Sequence, residues 1–285
     1  MHTLHVIDLS HHNAVRDLGQ TKAAGVIGVF HKATEGVGYT DPAFAIVRSL
    51  AASHGLLWAS YHFLRHADIA AQMRHYLAVA QPAGGERVCI DYEQADCTLD
   101  DLHAAVSYLR SHAPNNPITI YGGNLLKEQL GDRTDDLLAS TSLWIAQYTS
   151  ADAPRWAAAT WPAWSLWQYS DGQFGGEPKS VPGIDRCDCN TFNGTENECR
   201  AWFGGSDAAA AAPAPTASEK PTLRLGDRNS AVLDLQTRLA LHGLAIACDG
   251  IFGSATERAV RGFQRRSGLV VDGVAGAKTW AALNG

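Results

Sequence analysis

The sequence predicts an α/β fold, an eight-stranded barrel closed by five βα units and three nearly bare strands, followed by a small all-α domain. Three observations predict it. Apolar strand-like runs alternate with helix-like periodicity five times over residues 4–130. The alternation then gives way to three strand-like runs without clear helices between them. Finally, the stretch GGSDAAAAAPAPTASEKPT, residues 204–222, has no hydrophobic periodicity and reads as a semi-extended linker. These divide the chain into a barrel over 1–203, a linker over 204–222 and a helical domain over 223–285. A doubly wound open sheet is the competing architecture for the first part.

In order, the strands are LHVID (4–8), VIGVFHKAT (26–34), LLWASYHFL (56–64), RVCIDYE (87–93) and PITIYGG (117–123), with helices over 14–24, 42–54, 69–80, 99–112 and 124–130. Local punctuation supports them. Asp41-Pro42 puts a capping acid before a proline, and Gly55 follows the same helix as a C-terminal glycine should. The bare strands are SLWIAQYT (142–149), WSLWQYS (164–170) and GIDRCDCNTF (183–192). A last short helix begins at Thr195, with Glu198 at capping-box spacing.

With 285 residues, 46% hydrophobic and 18% charged, the chain has ordinary globular composition, and its net charge of -6 argues against nucleic acid as the main partner. No signal-peptide pattern opens the sequence, and no apolar run is long enough for membrane insertion. The six cysteines form no CxxC pair and no zinc spacing, so free, buried thiols are expected. His11-His12 and the His62/His66 spacing invite a metal, but the second pair begins on a strand end. No metal and no cofactor is expected, and the protein is expected to be a monomer.

Chemistry in such a barrel gathers where the strands end. VCIDYE, residues 88–93, finishes an apolar run with Asp91 and Glu93, two residues apart and so on one face of a strand. Paired carboxylates drive their pKa values apart, which suits acid/base work on a glycosidic bond. The other strand ends add Asp8, Lys32, Tyr61 with His62, Tyr121, Tyr148, Trp167 with Tyr169, and Asp188. Acids that hydrogen-bond hydroxyls beside aromatic platforms describe a carbohydrate cleft. Each aromatic taken singly reads more naturally as core, and each acid as a solvated strand end. Their convergence on one rim favours the cleft.

The series VIDLSHHN, HKATEG, Tyr61-His62-Phe63, IDYE, LWIAQY, LWQYS and DCNTFNG resembles the family-25 glycoside hydrolases over roughly residues 4–203. The resemblance implies a (β/α)5β3 TIM-like barrel and lysozyme activity, with Glu93 as general acid and Asp91 organising the 2-acetamido group or stabilising charge at the anomeric carbon. Asp8 would line the same cleft. Asp188, followed by Asn190, Phe192 and Gly194, takes the last acid's place, and Asp185 is the alternative, since RCDC departs from the family pattern.

Beyond the linker, Asp249-Gly250 and Asp272-Gly273 open two similar phrases, D-G-x-x-G-x-x-T. Three short helices turning Val232, Leu235, Leu239, Val260, Phe263, Trp280 and Leu283 inward would close a core. This part resembles the peptidoglycan-binding domain 1 family. Together the resemblances imply a modular endolysin, an N-acetylmuramidase bound to bacterial peptidoglycan and held in a host cytoplasm until lysis. An inactive wall-binding protein and a chitinase-like glycosidase are the alternatives.

Overall fold

The computed structural model describes residues 2–204 and 220–283, so the expected linker lies outside the described residues from 205 to 219. The chain divides into a barrel unit and a helical unit, each taken by itself below.

The barrel unit runs β1 (Val6–Leu9), α1 (Leu18–Ala23), β2 (Gly28–Glu35), β3 (Tyr39–Thr40), α2 (Phe44–Ser53), β4 (Leu57–Phe63), α3 (Ile69–Ala80), β5 (Arg87–Asp91), α4 (Leu99–His112), β6 (Ile118–Gly122), α5 (Asn124–Leu130), α6 (Asp136–Ala139), β7 (Ser142–Ala146), β8 (Leu166–Ser170), β9 (Ser180–Val181), β10 (Asp185–Arg186), β11 (Asp188–Phe192) and α7 (Glu196–Trp202). Strands β1, β2, β4, β5, β6, β7 and β8 pair in parallel in that order. Strand β11 closes the sheet between β8 and β1, antiparallel to both. The five βα units and three strands are as expected. The expected strand over 183–192 instead divides, because Asp185 and Arg186 pair with β9 in a separate ribbon while only Asp188–Phe192 joins the barrel. Before it, Gly183 (φ +87°) takes both the Arg16 and Asp17 amides on its carbonyl; a Cβ there would lie 2.0 Å from the Asp17 carbonyl oxygen.

Alternation along each strand sorts the barrel's residues into two cores. Val6, Phe30, Ala59, Cys89, Tyr121, Trp144 and Leu166 meet inside the barrel. Ile7, Val29, Ile90, Ile120 and Ile145, one residue along, are buried on the opposite side, toward the helices. The end of the barrel remote from the acids is plugged by α7, which opens with the expected Thr195/Glu198 capping box. Its last turn delivers Trp202, and the next residue, Phe203, lies 4% exposed with its ring 5.4 Å from that of Phe30. Gly28 makes room for it, since a Cβ at that position would stand 2.8 Å from the Phe203 ring. Arg87 donates to the Trp202 carbonyl, to Thr119 Oγ1 and to Ser142 Oγ, with its guanidinium 3.8 Å from the centre of the Trp202 ring. Burial lowers that guanidinium's pKa to about 10, so it stays charged at neutral pH.

The helical unit comprises α8 (Ser230–Leu241), α9 (Ser254–Arg266) and α10 (Ala277–Leu283). Its core holds all seven residues expected inward, joined by Leu223, Phe252, Ala259 and Ala275. Packing begins before residue 223: the Pro221 carbonyl accepts from Trp280 Nε1 at 2.9 Å, and Lys220 pairs with Asp234 at 2.6 Å. The two D-G phrases are one device used twice. Gln236 Nε2 donates to Asp249 Oδ1, the Ile251 carbonyl and Thr256 Oγ1, while its Oε1 accepts from the Gly250 amide. Gln264 does the same to Asp272, Val274, Thr279 and Gly273. Each glutamine is buried with its hydrogen-bonding capacity spent on fixing a turn, so the repeat is structural.

The Phe203 plug gives a direct test. Phe203→Ala should cost about 3–5 kcal/mol of barrel stability, the usual range for emptying a buried aromatic site. Chemical denaturation measures it, and a loss below about 1 kcal/mol would show that the ring does not seal the barrel.

Candidate active site

At the mouth of the barrel a cavity of about 440 Å³ is lined by Asp8, Tyr61, Asp91, Glu93, Tyr121, Trp144, Tyr148, Gln168 and Asp188. Each acid arrives there by strand geometry. Asp8 lies on β1 and Asp91 ends β5. Glu93 lies past the end of β5, one residue beyond Tyr92, whose buried ring turns away and whose hydroxyl donates to the Cys97 carbonyl at 3.1 Å. Asp188 reaches the mouth for a different reason: β11 is antiparallel, so its first residue, not its last, stands directly across from Asp8.

The acids occupy unlike surroundings. Asp8 accepts from Gln168 Nε2 at 3.0 Å on both oxygens and from Asn190 Nδ2 at 2.7 Å. Burial raises its pKa, but these amides favour its charged form. Asp188 is bonded to Asp8, and burial, followed by Asp8's charge, pushes its pKa up to about 9. When the two share a proton it therefore rests on Asp188. Asp91 is driven well above the carboxylate range by burial and then by Glu93, with Lys32 opposing. Its Oδ1 has no hydrogen-bond partner among the described residues. Glu93 is open to solvent on one side, and burial of the rest, then Asp8's charge, raises its pKa against the pull of Lys32.

Gln168 ties the site together. Its Oε1 accepts from the hydroxyls of Tyr121 and Tyr148, both at 2.8 Å, which turns its amide nitrogen toward Asp8. Asn190 is held likewise, accepting from Trp144 Nε1 at 2.7 Å while donating to Asp8 and to the Val6 carbonyl.

The structure thus brings Asp8, Tyr61, Asp91, Glu93, Tyr121, Tyr148 and Asp188 together. Other residues expected at the rim do not line this cavity. Trp167 and Tyr169 alternate with Gln168 on β8 and point away from the barrel interior, where both rings pack on His2 at 4.6 Å. His62, next to Tyr61 on β4, is buried between Thr34 Oγ1 at 2.8 Å and Gln72 Oε1 at 3.2 Å, and burial lowers its pKa to about 4. Its HxxxH partner His66 bonds to Asp101 instead, and no cluster with metal-binding composition occurs among the described residues. Lys32 pairs with Glu35 and lies 4.7 Å from the Phe63 ring, acting on Asp91 and Glu93 through its charge. Asp185 is exposed on β10 and paired with Arg16 at 2.7 Å. Sequence reasoning missed Trp144 and Gln168. The visible signal for Gln168 was a lone amide between two aromatics, in a strand otherwise fit for burial.

The raised pKa of Asp188 sets a pH dependence. A carboxyl whose folded pKa lies above its unfolded value stabilises the fold below the unfolded value, about 3.8, and that contribution is lost as pH rises toward about 9. Asp188→Asn, which carries no such penalty, should raise the melting temperature over wild type by clearly more at pH 8 than at pH 4. Thermal unfolding at the two pH values checks this, and an equal shift at both would contradict the buried proton.

The family model for glycosyl hydrolases family 25 matches residues 7–176, and that for a putative peptidoglycan binding domain matches residues 228–283. The autolytic lysozyme of Clostridium acetobutylicum is 28% identical over 272 residues, covering 93% of this chain and 74% of its own. Lysozyme M1 of Streptomyces globisporus is 25% identical over 210 residues, covering 66% of this chain and 67% of its own. Among solved structures, a bacterial lysozyme from Streptomyces coelicolor superposes with a TM-score of 0.57 at 23% identity, over 69% of this chain and 95% of that one. With its match running through most of the barrel and its acids gathered at the barrel mouth, the chain belongs to glycosyl hydrolases family 25 and is a lysozyme-like muramidase with a C-terminal peptidoglycan-binding domain.

Proposed function

We propose that the barrel mouth hydrolyses the β-1,4 bond between N-acetylmuramic acid and N-acetylglucosamine, with Glu93 as the general acid. The observation that carries this is the set of four carboxylates in one cavity, of which Glu93, with a raised pKa, is the most exposed to solvent. Its proton passes to the glycosidic oxygen as the bond to the anomeric carbon breaks, and the departing sugar leaves as the alcohol. Water that completes the hydrolysis gives a proton back to Glu93. Asp91, held neutral by its burial and lining the same cavity, accepts from the sugar's acetamido N–H. Asp8, kept charged by its amide donors, adds negative potential to the same cavity.

The helical unit anchors the enzyme, raising the effective concentration of barrel at an insoluble substrate. The pairing of hydrolase and wall-binding domain supports the finer reading of an endolysin, held in a host cytoplasm until release to the wall. Digestion of purified walls tests the chemistry. Fragments should carry N-acetylmuramic acid at their new reducing ends, and Glu93→Gln should lower turnover by about 10²–10⁴-fold while sedimenting with walls as before. Retention of more than about a tenth of the rate, or reducing-end N-acetylglucosamine, would overturn this reading. A chain ending at Gly204 should keep its rate on soluble oligosaccharides and lose it on intact walls.

A further inference from the structure

The net charge of -6 conceals a division of sign. Residues 220–285 hold nine of the 23 Lys and Arg but five of the 29 Asp and Glu, so the helical unit is cationic while the rest of the chain is acidic. Folding then separates the two signs within the helical unit itself.

All five of its acids are spent inside it. Asp249 and Asp272 accept from Gln236 and Gln264 in the two turns, and Asp234 pairs with Lys220 at 2.6 Å and with Arg238 at 2.8 Å. Glu257 pairs with Arg261 at 2.9 Å, and Asp227 accepts from the Arg224 amide at 2.9 Å. The remaining cations have no such use. Arg224, Arg228, Arg258, Arg265, Arg266 and Lys278 are exposed, and among the described residues their side chains enter no ion pair. Half of them lie on α9, whose other side buries Ala259, Val260 and Phe263. Arg258 and Arg265 are seven residues apart, close to two full turns, so they stand in one row about 10 Å apart with Arg261 between them.

We propose that this arginine row on α9 is a docking surface for a phosphodiester polymer of the cell wall, a polyol phosphate lying along the helix. Such a partner is distinct from the peptidoglycan that the barrel cuts, and the inference rests on the helical unit working at the wall. Two features point to phosphate. Five of the six unspent cations are arginines, whose planar fork pairs with two phosphate oxygens at once where a lysine offers a point charge. A row of cations recurring along a helix also suits a partner whose negative charge recurs, and a neutral glycan carries none. Because the rest of the chain is acidic and repelled by a polyanion, the attraction must come from the helical unit.

Sedimentation of the full chain, kept on ice to slow digestion, with two wall preparations tests this. One is intact wall that carries polyol phosphate, and the other is the same wall after hydrofluoric acid has removed the phosphodiester polymer and left the peptidoglycan. The chain should bind the intact wall several-fold more tightly, and that advantage should shrink between about 50 and 200 mM salt, as binding to a polyanion does. Arg258→Gln combined with Arg265→Gln should remove most of the advantage, lowering affinity for intact wall by about five- to tenfold. The same variant should bind stripped wall and turn over soluble oligosaccharides as the unsubstituted chain does, and calorimetry with poly(glycerol phosphate) should show the same loss. Equal binding of the unsubstituted chain to both preparations would overturn the proposal. So would a salt-sensitive loss in the double variant on both preparations alike, which would make peptide carboxylates the partner. If the unsubstituted chain bound intact wall alone, the peptidoglycan anchor would fall and the phosphodiester surface would stand.

Discussion

Everything at the mouth of this barrel depends on the repulsion among carboxylates that the fold forces together. Two ionised carboxylates about 4 Å apart repel by about 4 kcal/mol at an effective dielectric of 20, more than a single surface ion pair recovers. The structure answers by distributing protons unequally. Asp8 is given the amide donors of Gln168 and Asn190 and holds the charge; its cross-strand partner Asp188 is given none of these and holds the proton. Asp91 is buried with an unpaired oxygen, and Glu93 stands half in solvent with its pKa raised. A proton donor and a negative stabiliser are thus produced from one residue class by surroundings alone.

Holding such a cluster requires a rigid frame, and the far end of the barrel supplies it. The closing strand β11 runs against its neighbours, which places Asp188 opposite Asp8 and sends the chain on into α7 at the other end. There Phe203 fills the space left by Gly28, and the cationic Arg87 is satisfied by a carbonyl, two hydroxyls and an indole face without any carboxylate. Acids gather at one end and the buried Arg87 guanidinium lies at the other, with the aromatic interior between them.

Much of this was legible in the sequence where residue type and chain order were enough. The βα alternation, the Thr195 capping box, the acids of IDYE and the helical core of the second unit needed only local pattern. What was not legible depended on side-chain parity and strand direction. LWQYS draws attention to its aromatics, yet a shift of one residue turns Trp167 and Tyr169 outward and Gln168 into the site. His62 fails as a rim residue for the same reason, its neighbour Tyr61 taking the inward place. The rule that function sits at the ends of strands does not reach Asp188, the first residue of its strand; what marked it was the resemblance carried by Asn190, Phe192 and Gly194 after it. The D-G phrases show the reverse: a repeat that could have marked ligand contacts is used up by Gln236 and Gln264 in closing two turns.

The unequal sharing of protons is the central claim, and side-chain carboxyl NMR of the barrel, with aspartate and glutamate labelled in the carboxyl carbon and titrated from pH 3 to pH 10, reports on it most directly. The account predicts that the Asp188 resonance, assigned by its loss in Asp188→Asn, stays protonated through neutrality and shifts near pH 9. Titration of that carboxyl in the ordinary range near pH 4, together with the other acids, would contradict it.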